Sequence, residues 1–213
     1  MTCCQCQGIE RFFGKRMAAR ELKKFRKKGA TGTTRQLIGA LEAQGIGGMT
    51  LLDIGGGIGV IQHELLGLGV SRATNVEAST AYLDAAKAEA ERQGRIERVR
   101  YRYGNFVDLA PEIESEDIVT LDRVICCYPD MEELVGLSMD RARKYYGLVY
   151  PRDVWVVEGL RYLINFAFWC MRNPFRFFVH STQAVDDLLR KNGLTQIFHS
   201  ESFIFQVALY ARR

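Results

Sequence analysis

Residues 51–59 read Leu-Leu-Asp-Ile-Gly-Gly-Gly-Ile-Gly, and the run Val60-Ile61-Gln62-His63-Glu64-Leu65-Leu66 follows at once. Apolar residues and an acid close a buried strand, glycines at 55, 57 and 59 make a tight turn, and a helix begins. Glycine is needed there because a Cβ would block both the positive-φ backbone and a ligand lying against the bare chain. The spacing narrows the choice of ligand. A dinucleotide turn requires Gly-x-Gly-x-x-Gly, and counting from Gly55 and Gly57 the third place holds Val60.

On either side of this stretch, apolar strand patterns alternate with helical ones, as an α/β doubly wound parallel sheet requires. Seven strands are predicted, at 50–54, 73–76, 99–103, 118–121, 148–150, 196–200 and 204–211. The last two leave no room for a crossover helix, so they form an antiparallel C-terminal hairpin. Ser79 or Thr80 caps the helix after the second strand, and Thr33 or Thr34 caps a helix over 36–43. A final helix covers 182–192. At 213 residues, 47% hydrophobic and 25% charged, the chain has one domain's worth of core.

Asp53-x-Gly55-x-Gly57-x-Gly59 resembles motif I of the class I S-adenosylmethionine-dependent methyltransferases, and the resemblance extends over about residues 35–213. It implies the sheet just described, S-adenosylmethionine as cofactor, and a set of cofactor contacts. The turn Gly55-Gly56-Gly57 with Gly59 would lie under the cofactor's amino acid portion, and Asp53 would order that turn. Glu77, at the end of the second strand with Ala78 beside it, would accept the ribose hydroxyls; an ordinary solvated glutamate is the plainer reading. Asn105 stands where the family carries an acid, and its amide can still hydrogen-bond adenine, with Phe106 against the ring. Asp122 opens the slot between cofactor and methyl acceptor. Arg35 is a candidate for the cofactor's carboxylate.

A narrower resemblance, to the magnesium-protoporphyrin O-methyltransferases, rests on 122–130 with Tyr128-Pro129 and on Phe178-Val179-His180. That family usually has His before Tyr-Pro, whereas Cys127 stands here, a departure that leaves the cofactor site untouched. His180 is the candidate general base and Tyr128 an acceptor-side contact; a capping or core histidine is the alternative for His180.

Charge is uneven. Residues 1–35 hold ten Lys or Arg against two Glu, the remainder nineteen against twenty-three acids. Residues 1–35 therefore read as a basic, cysteine-containing extension and 36–213 as the methyltransferase domain. The extension either meets an anionic partner or docks an amphipathic helix through Ile9, Phe12, Phe13, Met17, Leu22 and Phe25 with its cations in water. Residues 154–171 are apolar but interrupted by Glu158, Arg161 and Asn165, so they form a helix rather than a membrane span. That helix either covers the core or, within 152–180, forms an acceptor lid lined by Trp155, Tyr162, Phe166 and Trp169. Cys3, Cys4 and Cys6 crowd together at the start, where adjacent cysteines such as 3 and 4 rarely both hold one ion, and no metal is expected. Cys126, Cys127 and Cys170 are read as reduced with them. With no signal-peptide pattern at the start, the chain is expected in the cytoplasm.

The expected function is methylation, favouring oxygen, of a small apolar or aromatic acceptor. An RNA methyltransferase using the basic helix is the alternative, opposed by the lack of an Asn/Asp-Pro-Pro-Tyr/Phe sequence after the fourth strand. A silent cofactor-binding scaffold is the other.

Overall fold

A computed structural model describes residues 4–212, with side chains from Gln5 onward; Cys3 and the side chain of Cys4 lie outside the described residues. The strands are β1 (Thr50–Ile54), β2 (Arg72–Glu77), β3 (Val99–Tyr103), β4 (Glu116–Asp122), β5 (Ala142–Pro151), β6 (Leu194–Glu201) and β7 (Phe205–Arg212). They form one sheet in the order β3-β2-β1-β4-β5-β7-β6. The first five are mutually parallel, and β7 runs antiparallel to both β5 and β6. The chain order thus reverses between β1 and β4, which leaves a crevice at their C-terminal ends.

The helices are α1 (Cys4–Phe12), α2 (Lys15–Lys28), α3 (Gly32–Glu42), α4 (Val60–Gly67), α5 (Thr80–Arg92), α6 (Phe106–Leu109), α7 (Met131–Met139), α8 (Trp155–Cys170) and α9 (Thr182–Lys191). They cover both faces of the sheet. Strand alternation sorts the core into two layers: Leu52, Ile54, Val119 and Leu121 pack on one face, Leu51 and Ile118 on the other. Asp53 and Thr120 share the second face at paired positions, and the Thr120 hydroxyl donates to Asp53 Oδ1 at 2.8 Å. A buried carboxylate is tolerated there because a neighbouring strand supplies its donor.

Several boundaries differ from those the sequence suggests, each for a local reason. β5 begins at Ala142 rather than 148; its leading Arg143 and Lys144 are exposed, and Lys144 pairs with Asp117 across the sheet at 3.6 Å. The polar start concealed a strand that pairing with β4 stabilises. α3 begins at Gly32 with Thr31 at its N-cap, and neither Thr33 nor Thr34 caps it. Thr34 is a buried residue whose hydroxyl donates to Asp122 Oδ2 at 2.5 Å. The single amphipathic N-terminal helix is two, broken at 13–14. Phe13, Met17, Leu22 and Phe25 pack against a small cluster of Ala18, Ile58 and Tyr82. Around α2's apolar side, Lys15, Arg16, Arg20, Lys23, Lys24, Lys27 and Lys28 are exposed, so the helix docks through its apolar face and leaves its cations in water.

Candidate active site

The β1–α4 turn is built on backbone that only glycine holds without strain. Gly55, Gly57 and Gly59 have φ of 61°, 57° and 81°. A Cβ on Gly56 would stand 2.8 Å from Asp53 Oδ2 and 2.6 Å from Asn75 Nδ2. On Gly57 it would meet only the Tyr82 ring, at 3.5 Å, so this residue faces open space in the cleft. Gly59 serves the helix rather than the cleft: a Cβ there would come within 2.5 Å of Gln62.

Below the turn, Asp53 Oδ2 makes no hydrogen bond within the described residues. Burial is the main reason its pKa rises to about 7, against the opposing Thr120 bond, with Asp122 and Glu77 adding repulsion. Glu77, at the end of β2, accepts from the Gly57 N–H through Oε2 and from the Ser79 N–H through Oε1, both at 2.8 Å. Burial raises its pKa, opposed by the N–H groups of Ser79, Gly57 and Ala78. Ser79 in turn caps α5, accepting from Tyr82 N at 3.3 Å. The carboxylate therefore ties β2 to the glycine turn, and each oxygen keeps a second acceptor direction toward the cleft that it lines.

Ala78, Asn105 and Phe106 line the same cleft. Asn105 Oδ1 caps α6, accepting from Val107 N at 3.4 Å, while Phe106 is buried in the core. At the exit of β4, Asp122 accepts from Arg123 Nε at 2.9 Å, and Arg123 also donates to the Thr34 hydroxyl at 2.9 Å. Arg123 holds a left-handed φ of 61°, a strained backbone for a residue other than glycine. Sequence reasoning missed Arg123 because positive φ at a non-glycine leaves no trace in residue type. Arg35, the cation it chose instead, is exposed on α3 and does not line the cleft; the helix starts four residues early and turns that side chain outward.

His180 is likewise outside the cleft lining, although Tyr128 lies within it. The ring's Nε2 is 3.1 Å from the Ile125 carbonyl and 2.9 Å from that of Tyr128. Carbonyls only accept, so Nε2 carries the proton and cannot also receive one. Burial lowers its pKa from the ordinary value, against the opposing pull of the Tyr128 and Ile125 carbonyls. His180 thus braces the loop that presents Tyr128 and Cys127. The Tyr128 hydroxyl donates to Glu133 Oε2 at 3.3 Å.

The cleft has a volume of about 730 Å³. Its outer walls are apolar: Cys6, Ile9, Phe12 and Phe13 from the N-terminal segment, Ile164, Ala167, Phe168 and Met171 from α8 and its end, then Phe175 and Phe177. Phe12 stacks on Phe175 at 6.0 Å and meets Phe168 edge-on at 4.9 Å. Gln5 pins α1 there, donating to the Cys127 and Arg176 carbonyls at 3.1 and 2.7 Å and accepting from Arg176 N at 2.9 Å. The Ile9, Phe12, Phe13 spacing was visible in the sequence; that it faces the cleft was not. The four lid aromatics are a correction. Trp155, Tyr162, Phe166 and Trp169 do not line the cavity and are exposed, because the opposite side of α8 faces inward.

A family profile described as a methyltransferase domain matches residues 52–144. Curated proteins include no match to the sequence. The fold is similar to that of magnesium protoporphyrin IX methyltransferase from Synechocystis PCC 6803, solved with bound S-adenosylhomocysteine: TM-score 0.76, 14% identity, 98% of this chain and 100% of that one covered. It is also similar to geranyl diphosphate C-methyltransferase from Streptomyces coelicolor A3(2), with TM-score 0.67, 16% identity and coverage of 84% and 76%. An O-methyltransferase family protein from Burkholderia thailandensis gives TM-score 0.68 and 15% identity, over 92% and 60%. The bare turn at Gly57, the unpartnered Asp53 oxygen and the Glu77 carboxylate suit the ammonium, sulfonium and ribose of S-adenosylmethionine, and the matched segment spans β1 to the start of β5. Residues 52–144 match a methyltransferase domain, and the chain as a whole has the class I methyltransferase fold.

Proposed function

We propose that the acceptor is a small apolar or aromatic molecule and that the methyl group goes to an oxygen, with an already ionised carboxylate favoured. The aromatic outer wall formed by Phe12, Phe168, Phe175 and Phe177 carries this reading. Such walls stack on a flat ligand and exclude water. The cofactor supplies an electrophilic methyl group for in-line displacement; the chain supplies alignment. Glu77 and the glycine turn fix the cofactor end. Arg123, held over Asp122 in the cleft, is suited to receive an acceptor carboxylate. A carboxylate needs no general base, which agrees with a His180 whose Nε2 is engaged on two carbonyls. The Synechocystis neighbour, named for magnesium protoporphyrin IX, supports a flat acceptor as one member of this class.

Incubation with isotopically labelled S-adenosylmethionine, a panel of planar carboxylates and phenols, and total RNA is the test. Mass spectrometry should find label as a base-labile ester in a small molecule. Label found only in RNA would reject the proposal.

A further inference from the structure

Helix α8 carries its polarity in reverse for a helix facing water. Its polar residues are occupied within the protein: Asn165 donates to the Phe177 carbonyl at 2.9 Å and accepts from the Phe177 N–H at 2.7 Å, and Glu158 pairs with Arg161 at 2.7 Å. Beside the apolar side that lines the cleft, a second apolar side faces out. Trp155 is 85% exposed, and Tyr162, Leu163, Phe166 and Trp169 are each more than 60% exposed. Their three- and four-residue spacing makes one stripe along the helix, with Phe166 and Trp169 stacked at 5.8 Å. The stripe continues past the helix start. Arg152 binds the β6–β7 turn through Ser202 O, Ile204 O and Glu201, and that turn carries Phe203, 76% exposed.

The surroundings are cationic. Residues 152–176 include Arg152, Arg161, Arg172 and Arg176 against Asp153 and Glu158, and the adjoining turn adds Glu201, which pairs with Arg152. Asp153 is taken up by the start of α9, where Thr182 donates from its N–H and hydroxyl, and Arg161 lies 4.3 Å over the Tyr162 ring. α1, docked at the other end of α8, leads into the exposed cations of α2. Tryptophans at both ends, aliphatic and phenyl groups between them and flanking arginines are the chemistry of a helix lying in a bilayer surface. Among the described residues no helix is long and apolar enough to cross a membrane.

We propose that the outer face of α8, extended by Phe203, docks in the plane of an anionic lipid bilayer. Met171, exposed at the end of the helix, also lines the cleft, so docking places the cleft mouth against the apolar phase. Supply of an acceptor from that phase rests on the apolar-acceptor reading above; the docking itself does not.

The chain's two tryptophans both lie on this stripe, so intrinsic fluorescence reports on it directly. Phosphatidylcholine vesicles containing phosphatidylglycerol should blue-shift the emission and float the protein. Vesicles without the anionic lipid, or high salt, should bind it about tenfold less. L163E/F166E, outside the cleft lining, should lower vesicle binding about tenfold or more while leaving S-adenosylmethionine affinity and circular dichroism unchanged. No shift and no flotation with either vesicle would overturn the proposal. So would a protein dimeric by sedimentation equilibrium that the same variant renders monomeric, which would assign the face to a second copy. The methyl-acceptor assay, run with water-soluble compounds and no vesicles, fails or succeeds independently of these results.

Discussion

Glu77 and Asp53, proposed above to meet the cofactor, are set in the cleft by opposite means. Both Glu77 oxygens accept from backbone N–H groups, so Glu77→Gln presents an amide donor to one of two donors. Calorimetry should show S-adenosylmethionine binding weaker by about 1.5–3 kcal/mol, the scale of a charged hydrogen bond lost. Asp53 behaves as a proton reservoir, since its pKa in the fold is about 7, well above the ordinary carboxylate range. The folded protein therefore holds one more proton there than the unfolded chain between about pH 4 and 7. Its contribution to stability is fully present below about pH 4 and is lost as the pH rises through 7, a change of about 4 kcal/mol. Urea midpoints of Asp53→Asn should fall less over that window than those of the parent. A cationic cofactor favours the ionised form, so its affinity in the parent should rise with pH up to about 7 and then level, with protons released on binding below 7.

Among elements, the loop between β4 and α7 depends on a contact from a distant segment. His180 lies just before α9 and donates to carbonyls at 125 and 128, so His180→Ala leaves two acceptors and a void. Acceptor KM should rise and the melting temperature fall, corresponding to about 1–3 kcal/mol, with S-adenosylmethionine affinity unchanged. A 10²- to 10⁴-fold loss confined to kcat, with stability intact, would instead mark a general base. The same scale explains why the aromatic helix was legible only in part. Its extent and its interrupting polar positions at 158, 161 and 165 are written in the sequence, but periodicity gives a stripe without saying which side meets the protein. Asn165 decided it: the backbone of Phe177 needed a partner that the side chain could supply.

For the whole molecule, β7 is the joint on which both faces of the sheet rely. It sits between β5 and β6, with Val207 and Leu209 in one layer of core and Ala208 and Tyr210 in the other. Leu209→Ala should lower unfolding free energy by about 2–5 kcal/mol in urea titrations. Removing 194–213 should abolish cooperative unfolding altogether, because β5 becomes an unpaired edge between two opened cores.

Local chemistry alone determined a good deal of this protein. The glycine turn, the acid ending the second strand, the seven-strand pattern and the closing hairpin are all short-range: they follow from φ preference, from alternation, or from a connection too brief for a helix. The glycine-turn side of the cleft, which we propose takes the cofactor, is legible for the same reason, since its groups cluster at the ends of consecutive strands. Its acceptor side is not. α1 pinned by Gln5 and His180 bound to carbonyls depend on surfaces that meet across more than 50 residues of chain, and Arg123 folded back on Asp122, Arg35 turned outward and α8 with its tryptophans in the open depend on the packing around them. Residue spacing encodes a face, but only packing selects what that face touches.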